Sequence, residues 1–320
     1  MSIVCSGSVA YDYLMRFPGY FKDHLLPEHL EHVSLSFLVD DMVRLQGGIA
    51  PNICYSLALL GETPILFAAV GEDFEDYRRK LEAAGIDTRF ARVVKGKNTA
   101  SFFANTDLSN AQIASFYTGA MANSADIKIA ELKEAGIETD IFLISPSDPE
   151  AMIGYARQCR EQGVRFAFDP SQQIVRMTKE MILDGLDGAS FLFCNEYEYQ
   201  LLLTHSGLSE DELKDRVWCI IETLGENGSR ILVDGKEIDI PVFPPKCIAD
   251  PTGVGDAYRS GFFKGFFHGL PLEICGRMGA LASAYVLEQK GTQAHYYDLE
   301  SFIARYRSEW DDRGELDKLL

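Results

Sequence analysis

The chain has 320 residues, of which 47% are hydrophobic and 24% charged, and its formal net charge at pH 7 is −18. This length and composition predict one large globular α/β domain, or a domain with a smaller appendage. The negative charge argues against a nucleic-acid-binding protein, because contacts with a phosphate backbone require a basic surface. A phosphorylated small molecule is compatible with it, since backbone amides and a magnesium ion can supply a local positive potential.

The seven cysteines are scattered along the chain and form no C-x-x-C pair. This usage predicts reduced, mostly buried thiols in the cytoplasm, and neither a disulfide framework nor a zinc site. The first residues, MSIVCSGSVAYD, have no basic segment before their apolar part, so we expect no secretory signal peptide. No apolar run is long enough to span a bilayer, and a cytoplasmic protein is expected.

In chain order, the predicted elements alternate between apolar strands and helices. SIVCSGSVA predicts a buried strand, APNICYSLALLG a helix that ends at Gly61, and TPILFAAVG a second strand before the helix EDFEDYRRKLEAAG. Strands at DIFLISP, VRFAFDP and SFLFCN follow, with helices such as DPEAMIGYARQCREQG between them. Such alternation predicts a parallel sheet that is covered by helices on both faces.

Two segments interrupt this alternation with period-2 patterns. Residues 32–45, HVSLSFLVDDMVRL, place Val33, Leu35 and Phe37 on one face, which predicts a strand. Residues 99–119 predict a hairpin around NTDLSN. Segments of this kind within an α/β chain indicate a small separate sheet, which we expect to lie as a lid over the ligand edge of the large sheet.

Polar residues and glycines recur where predicted strands end or where a loop enters a helix. They are Asp12, Gly47, Gly48, Asn52, Gln172, Gln173, Asn195, Glu198, Gly225 and Gly228. Ligands of doubly wound sheets bind beyond the carboxyl ends of the strands, so the recurrence favours a ligand site there. Taken singly, each of these residues is more often a cap or a turn residue than a ligand contact.

The segment ADPTGVGDAYRSGFFKGFFHG, residues 249–269, places two glycines and an aspartate at the start of a helix predicted over 254–268. Amide N–H groups at a helix N-terminus favour an anion, and glycines let a phosphate approach the backbone closely. Asp256 is then either a simple helix cap or a carboxylate that accepts a proton from an alcohol. Walker A and G-x-G-x-x-G motifs are absent, so P-loop and Rossmann sites lose support.

Four motifs resemble, in order, those of the ribokinase-like (PfkB) carbohydrate kinases. GGIAPN, NEYE, TLGENG and DPTGVGD are similar to the family's G-G-x-x-x-N, N-x-x-E, T-x-G-x-x-G and D-T-x-G-A-G-D motifs, with valine in place of the usual alanine in the last. The resemblance runs from about residue 3 to about residue 295. Within the family, strings such as GSVAYDYLMRFPG, AQIASFYTGAM and DPSQQ are most similar to those of bacterial adenosine kinases.

The resemblance implies a ribokinase-like three-layer α/β/α domain over residues 1–320, with a mainly parallel sheet. It implies a small β-sheet lid formed by segments of about residues 10–46 and 88–120. The implied activity is transfer of the γ-phosphoryl group of ATP to the 5′-hydroxyl of adenosine, with Mg²⁺, as in purine salvage. Because a lid sheet exposes edges and a face, a homodimer through the lid is also expected.

The matching motifs also imply roles for single residues. Asp256 would deprotonate the acceptor hydroxyl, while the amides of Gly253, Val254 and Gly255 would hold the charge of the transferred phosphoryl group. The implied nucleotide-binding residues are Asn195, Thr223, Gly225, Gly228 and Gly255, and the implied Mg²⁺ residues are Asn195 and Glu198, through water. The implied nucleoside-binding residues are Ser8, Asp12, Ser36, Gly48, Asn52, Phe102, Phe116, Gln172 and Gln173.

Simpler explanations stay open for some of these residues. Phe102 and Phe116 would stack on the purine, but ordinary packing within the lid sheet is an equal alternative. Gln172 and Gln173 would reach the edge of the base. Arg176 could neutralise a phosphate, and a surface salt bridge would explain it equally well.

Three other functions also stay open. A ribokinase-like sugar kinase would share every motif and differ in the residues that contact the purine. A kinase for guanosine, inosine or cytidine would differ only in its base contacts. A non-catalytic nucleoside-binding protein would keep the cavity and lack the base, and the presence of Asp256 argues against it.

Overall fold

A nine-stranded sheet forms the centre of the part of the chain described by the computed structural model, residues 2–25 and 34–320. From edge to edge its strands are β13 (Lys236–Ile240), β12 (Ser229–Val233), β11 (Cys219–Thr223), β10 (Phe191–Asn195), β9 (Phe166–Phe168), β8 (Ile141–Ile144), β1 (Ile3–Ser6), β4 (Ile65–Val70) and β5 (Ala91–Val93). Neighbours from β11 to β5 pair in parallel, whereas β12 and β13 join as antiparallel strands. The mainly parallel sheet predicted from the alternating pattern is therefore confirmed.

Helices cover both faces of this sheet. In the described residues they are α1 (Ile49–Leu59), α2 (Glu75–Ala83), α3 (Ala130–Glu134), α4 (Pro149–Gln162), α5 (Lys179–Leu186), α6 (Glu196–Ser206), α7 (Glu210–Arg216), α8 (Val254–Phe267), α9 (Leu272–Leu287) and α10 (Leu299–Arg307). Successive residues of a strand point to opposite faces, so Cys5 of β1 belongs to the core beneath α1 and α8, and Val4 to the core beneath α4 and α5. The three-layer α/β/α fold is confirmed.

A second, smaller sheet has four strands. In order they are β3 (Asp41–Gly47), β2 (Ala10–Arg16), β6 (Ala100–Thr106) and β7 (Gln112–Tyr117). The hairpin predicted within residues 99–119 is β6 and β7. Strand β5 lies within the expected lid segment of residues 88–120, but it pairs with β4 in the large sheet.

The strand predicted over residues 32–45 forms only in its second half, as β3. Residues 34–39 have no regular structure, and Val33 lies outside the described residues. Phe37 packs edge-on against two other aromatic rings, each at a centroid distance of 5.0 Å, while Leu35 is 44% exposed. The prediction was wrong here because the apolar spacing serves an aromatic cluster and not the two faces of a sheet.

The structure agrees with what the composition predicts for the cysteines and for the apolar segments. Six of the seven cysteines are buried and Cys247 is exposed, which confirms mostly buried thiols. Among the described residues, no helix combines the length and the apolar character that crossing a membrane requires.

Helices α8 and α9 pack unusually closely, through glycines on both sides. A Cβ atom at Gly261 would lie 2.4 Å from the carbonyl oxygen of Met278, and a Cβ at Gly279 would lie 2.9 Å from that of Tyr258. These contacts involve backbone atoms, which cannot move aside as a flexible side chain can. Only glycine therefore allows this approach of the two helices.

We predict that Gly261→Ala lowers the free energy of unfolding by about 1–3 kcal/mol, because the added methyl group forces the two helices apart. Gly154→Ala in α4 is the matched control: its Cβ would meet nothing nearer than the Nε2 of Gln158 at 3.9 Å. Alanine favours a helix interior by roughly 0.5–1 kcal/mol relative to glycine, so the control should be neutral or stabilising. Urea unfolding measures both, and equal effects of the two substitutions would contradict the argument.

Candidate active site

A cavity of about 750 Å³ opens where the carboxyl edge of the large sheet faces the four-stranded sheet. Most of the residues that the family resemblance singles out line it. They are Ser8, Asp12, Gly48, Asn52, Phe102, Phe116, Gln172, Gln173, Asn195, Glu198, Thr223, Gly253, Gly255 and Asp256. Strand ends, a helix N-terminus and the small sheet thus converge at the edge where α/β sheets bind ligands.

A smaller, mostly apolar cavity of about 170 Å³ adjoins the first and shares Thr223 and Gly255 with it. Gly225, Gly228 and Val254 line only the smaller cavity. Its other walls are Ser229, Val242, Phe243, Tyr258, Ala280, Ser283, Ala284 and Leu287. An apolar slot of this kind suits a flat ring system with few polar atoms.

Ser36 is an exception among the expected substrate contacts. It is exposed in the irregular stretch before β3 and lines neither cavity. Because residues 34–39 do not form the predicted strand, this side chain is not held at the sheet edge where the cavities lie.

The N-terminus of α8 presents free backbone amides to the large cavity. Gly253 precedes the helix with φ of +80°, a conformation that suits glycine, and no side chain caps the helix. Among the described residues, no acceptor receives the N–H groups of residues 253–256. Together with the helix dipole, these donors form a site for an anion.

The carboxylate of Asp256, in the first turn of α8, also lines the large cavity. Asn52 donates a hydrogen bond from Nδ2 to Asp256 Oδ2 at 2.9 Å. Burial raises the pKa of the Asp256 carboxyl from 3.8 to about 7, although the nearby Arg259 cation and the Asn52 hydrogen bond both lower it. Asp256 therefore exchanges its proton near neutral pH, which suits a general base.

Arg259, one turn after Gly255, was missed by the sequence-based reasoning. Its Nη1 donates to the Gly255 carbonyl at 2.7 Å, and its Nη2 donates to Asp169 Oδ1 at 2.6 Å. The arginine and aspartate side chains are only 12% and 4% exposed, and both residues line the large cavity. The signal was present in the sequence, because Arg259 is a charged residue next to the apolar stretch of a helix whose start carries the anion site.

Asp12 and Gly48 also line the large cavity. Burial, and then the negative charge of Asp250, raise the pKa of the Asp12 carboxyl from 3.8 to about 6. Gly48 has φ of +98°, and a Cβ there would lie 2.5 Å from the carbonyl oxygen of Ser8, so the close approach requires glycine. Ser8 Oγ also accepts the Ile49 N–H at 3.3 Å, which gives this serine a structural role.

Asn195 and Glu198 begin α6 and cap it reciprocally. The Asn195 N–H donates to Glu198 Oε2 at 2.9 Å, and the Glu198 N–H donates to Asn195 Oδ1 at 2.8 Å. Ser171 Oγ donates to Glu198 Oε1 at 2.8 Å. Each of these oxygens keeps acceptor capacity toward the cavity, which fits Mg²⁺ bound through its own water molecules. Within residues 2–25 and 34–320, no group of three or more His, Cys, Asp and Glu side chains could bind an ion directly.

The far end of the cavity carries aromatic and amide groups. Phe102 and Phe116 face each other across β6 and β7. Phe116 is 50% exposed, so ordinary core packing does not explain it. Gln173 Oε1 accepts a hydrogen bond from Arg176 Nη1 at 3.1 Å. Gln172 Oε1 lies 3.0 Å from the Ser171 hydroxyl, which can donate its single proton either there or to Glu198 Oε1.

A family model described as pfkB family carbohydrate kinase matches residues 6–298. The chain belongs to this family. The match includes every strand after β1 and all four motifs quoted above, so the resemblance to this family found in the sequence is confirmed.

Several relatives and solved structures are similar to this chain over most of its length. A nucleoside kinase of Methanocaldococcus jannaschii is 30% identical over 95% of this chain and 96% of its own length, and its structure matches with a TM-score of 0.86. A Burkholderia thailandensis nucleoside kinase in complex with inosine is 32% identical over 97% of this chain and 98% of that one, with a TM-score of 0.84. The same protein with ADP-inosine matches with a TM-score of 0.82. A cytidine kinase of Thermococcus kodakarensis is 25% identical over 81% of this chain and 95% of its own.

We predict that Asp256→Asn stabilises the ligand-free protein at pH 8 and has little effect at pH 4. A carboxyl whose pKa rises from 3.8 to about 7 on folding keeps its proton when the unfolded chain loses it, so wild-type stability falls as pH rises through this interval. The asparagine variant lacks this loss, and its advantage at pH 8 should be on the order of 4 kcal/mol, since each pKa unit corresponds to about 1.4 kcal/mol.

Chemical unfolding at the two pH values measures the effect. Asp215→Asn, at an exposed position on α7, is the control and should change the free energy of unfolding little at either pH. A pH-independent difference between wild type and Asp256→Asn would contradict the prediction.

Proposed function

We propose that this chain is a nucleoside kinase, which transfers the γ-phosphoryl group of ATP to the 5′-hydroxyl of a purine nucleoside. We further propose adenosine as the nucleoside, with AMP and ADP as products. The observation that carries the proposal is the junction of the two cavities. Asp256 lines the cavity of about 750 Å³, and its neighbour Gly255, at the free amides of α8, lines both this cavity and the apolar one of about 170 Å³.

The large cavity accommodates a nucleoside and the smaller one the adenine of ATP. The shared residues Thr223 and Gly255 lie where the triphosphate would pass from one to the other. The Burkholderia nucleoside kinase, similar over nearly the whole length of this chain, has been solved with ADP-inosine, which supports two adjoining ligand sites of this kind.

In this proposal Asp256 accepts the proton of the 5′-hydroxyl as the oxygen attacks the γ-phosphorus. A pKa near 7 leaves a useful fraction of carboxylate at neutral pH and keeps the group basic enough to take the proton. The free amides at residues 253–256 hold the negative charge of the transferred group. Phosphoryl transfer depends mainly on such positioning and charge stabilisation.

Two further groups support the charge balance. Arg259, held by Asp169 and by the Gly255 carbonyl, places a fixed cation under the same turn. Mg²⁺ would neutralise charge on the β- and γ-phosphates, and Asn195 and Glu198 would orient it through its water molecules.

The nucleoside is bound in the remaining part of the large cavity. Asp12 and Asn52 form hydrogen bonds with the ribose hydroxyls, and the ring of the exposed Phe116 stacks on the base. Stacking on an aromatic side chain is worth roughly 1–3 kcal/mol per base in nucleic-acid sites. The carbonyl oxygen of Gln172 has a second lone pair for the 6-amino group of adenine.

A 6-oxopurine nucleoside is a second candidate, favoured by one specific contact. The carbonyl oxygen of Gln173 already accepts from Arg176 at 3.1 Å, so this pair presents mainly N–H donors to the cavity. Arginine donors match O6 and N7 of a 6-oxopurine, whereas the 6-amino group of adenine is itself a donor. The Burkholderia relative in complex with inosine agrees with this candidate.

We also propose that the four-stranded sheet is a lid and that a second copy of the chain packs on it. Several apolar side chains on this sheet are exposed, among them Leu14, Met42, Val43, Phe103 and Ile113. A lid over the acceptor excludes water, which otherwise competes for the phosphoryl group.

Replacement of the base tests the proposed chemistry. Asp256→Asn should lower kcat about 10²–10⁴-fold, because the acceptor hydroxyl loses its base, while the dissociation constant for the nucleoside changes little. Product formation and calorimetric binding measure the two effects. Wild-type turnover in this variant would reduce Asp256 to a structural residue of α8.

Substrate choice tests the binding site. Comparing kcat/KM for adenosine, inosine, 2′-deoxyadenosine and ribose, we expect both purine ribonucleosides to exceed ribose at least about tenfold, from base stacking. Phe116→Ala should lower this advantage and leave ribose unaffected. Equal efficiency on ribose and adenosine would instead indicate a sugar kinase.

Arg176→Met separates the two nucleosides. If the substrate is a 6-oxopurine nucleoside, the variant should lose about tenfold or more in kcat/KM on inosine, since a good bidentate contact contributes roughly 1–3 kcal/mol. If the substrate is adenosine, kcat/KM on adenosine should stay within about twofold of wild type.

A further inference from the structure

The segment between α9 and α10 brings a buried glutamine to the active site. Gln293 is 8% exposed, and its Nε2 donates to Asn52 Oδ1 at 2.9 Å and also to the Tyr77 hydroxyl. The other amide atom of Asn52, Nδ2, donates to Asp256 Oδ2 at 2.9 Å. A continuous hydrogen-bonded chain therefore leads from this segment to the Asp256 carboxylate.

Groups at both ends determine the direction of every hydrogen bond in this chain. At one end the Tyr77 hydroxyl donates to the Gly47 carbonyl at 3.1 Å, so the Tyr77 oxygen is left to accept from Gln293. At the other end an ionised carboxylate can only accept, so Asn52 must present Nδ2 to Asp256 and Oδ1 to Gln293. The Tyr77 oxygen and Asn52 Oδ1 are thus both acceptors, and both require the Nε2 donor of Gln293. Consistent with this, its Oε1 has no partner among the described residues.

We propose that Gln293 is a positioning residue, which holds the side-chain amide of Asn52 in the orientation that donates to Asp256. The inference rests on the proposed function, in which Asp256 takes the proton of the acceptor hydroxyl. Without Gln293, Oδ1 of Asn52 loses its buried donor, and the amide is free to turn its oxygen toward the carboxylate.

The orientation of Asn52 matters because Asp256 lies among opposing influences. Burial raises its pKa most strongly, Arg259 on the same helix lowers it, and Asp169 at the end of β9 raises it. The hydrogen bond from Asn52 stabilises the ionised form and so lowers the pKa as well. Its loss would raise the pKa further and leave less carboxylate at neutral pH.

Two substitutions test this role in the full-length protein. Gln293→Met keeps the length of the side chain and removes the donor. Gln293→Glu reverses the polarity, because an ionised glutamate can only accept and would draw Nδ2 of Asn52 away from Asp256. The acid limb of the pH profile of kcat/KM should move upward by about half to one pH unit in the methionine variant, and further in the glutamate variant.

The same shift predicts that the loss in kcat/KM depends on pH. At pH 6.5 the methionine variant should lose about 3–10-fold in kcat/KM, whereas at pH 9 it should stay within about twofold of wild type. A second readout needs no turnover: the ¹³C carboxyl resonance of Asp256 in the ligand-free protein, identified by its loss in Asp256→Asn, should titrate at correspondingly higher pH.

Gln158→Met is the matched control. Gln158 on α4 is also partly buried, accepts the Ile129 N–H at 2.9 Å and donates to the Gly154 carbonyl at 3.1 Å, and it lines neither cavity. Its variant should lose stability without moving the pH profile.

The possible outcomes distinguish a failure of the proposed base from a failure of the positioning role. Wild-type turnover in Asp256→Asn would overturn the proposed base. If that variant is inactive and the two Gln293 variants titrate within about 0.2 pH unit of wild type, in kinetics and in the carboxyl resonance, the positioning role is wrong.

Discussion

Helix α8 can lie against α9 because neither helix has a side chain where they are closest. Gly261 faces the Met278 carbonyl, and Gly279 faces the Tyr258 carbonyl. Phe262 and Phe263 of the same helix then fill the space against the aromatic rings of β10. This packing directs the first turn of α8, with its unpaired amides and its carboxylate, at the carboxyl edge of the sheet. The position of the proposed chemistry is thus set by contacts in the core.

The site concentrates polar groups that are costly to bury. A chain of net charge −18 binds a polyanion, in the proposed function, through a local arrangement of helix amides and Arg259. Asp169 partners that arginine and removes the cost of an isolated buried cation. Asp256, in contrast, has no ion-pair partner of its own among the described residues, and burial raises the pKa of its carboxyl. In the proposed function, the burial that makes the Asp256 carboxylate a suitable base also lowers the stability of the fold, as is common at active sites.

The parts of the fold that depend on local pattern could be predicted from the sequence. Buried parallel strands have continuous apolar runs, and the glycines at the start of α8 follow a recognisable motif. The large sheet and the anion site at the N-terminus of α8 were therefore expected. The irregular stretch at residues 34–39 was not, because its apolar spacing serves contacts with distant aromatic rings.

The same limit applies within the site. Gln293 contacts Asn52 across 241 positions of the chain, and Arg259 contacts Asp169 across 90. Gln293 belongs to no motif, and the place of Arg259 beside the apolar stretch of α8 marks it as unusual without indicating its partner. Their importance depends on which segments the fold brings together, and that information is absent from spacing along one sequence.

Two connections of the small sheet are very short. Three residues, 7–9, separate β1 from β2, and Gly48 alone separates β3 from α1. A rotation of the small sheet would require dihedral changes at these residues, since such short links have no slack, as well as in the longer connections from β5 to β6 and after β7. Ser8 and Gly48 also line the large cavity. If the small sheet moves as the proposed lid, the hinge and the binding surface share these residues, so an occupant that contacts them would bias the angle between the sheets directly, without a relay through the core.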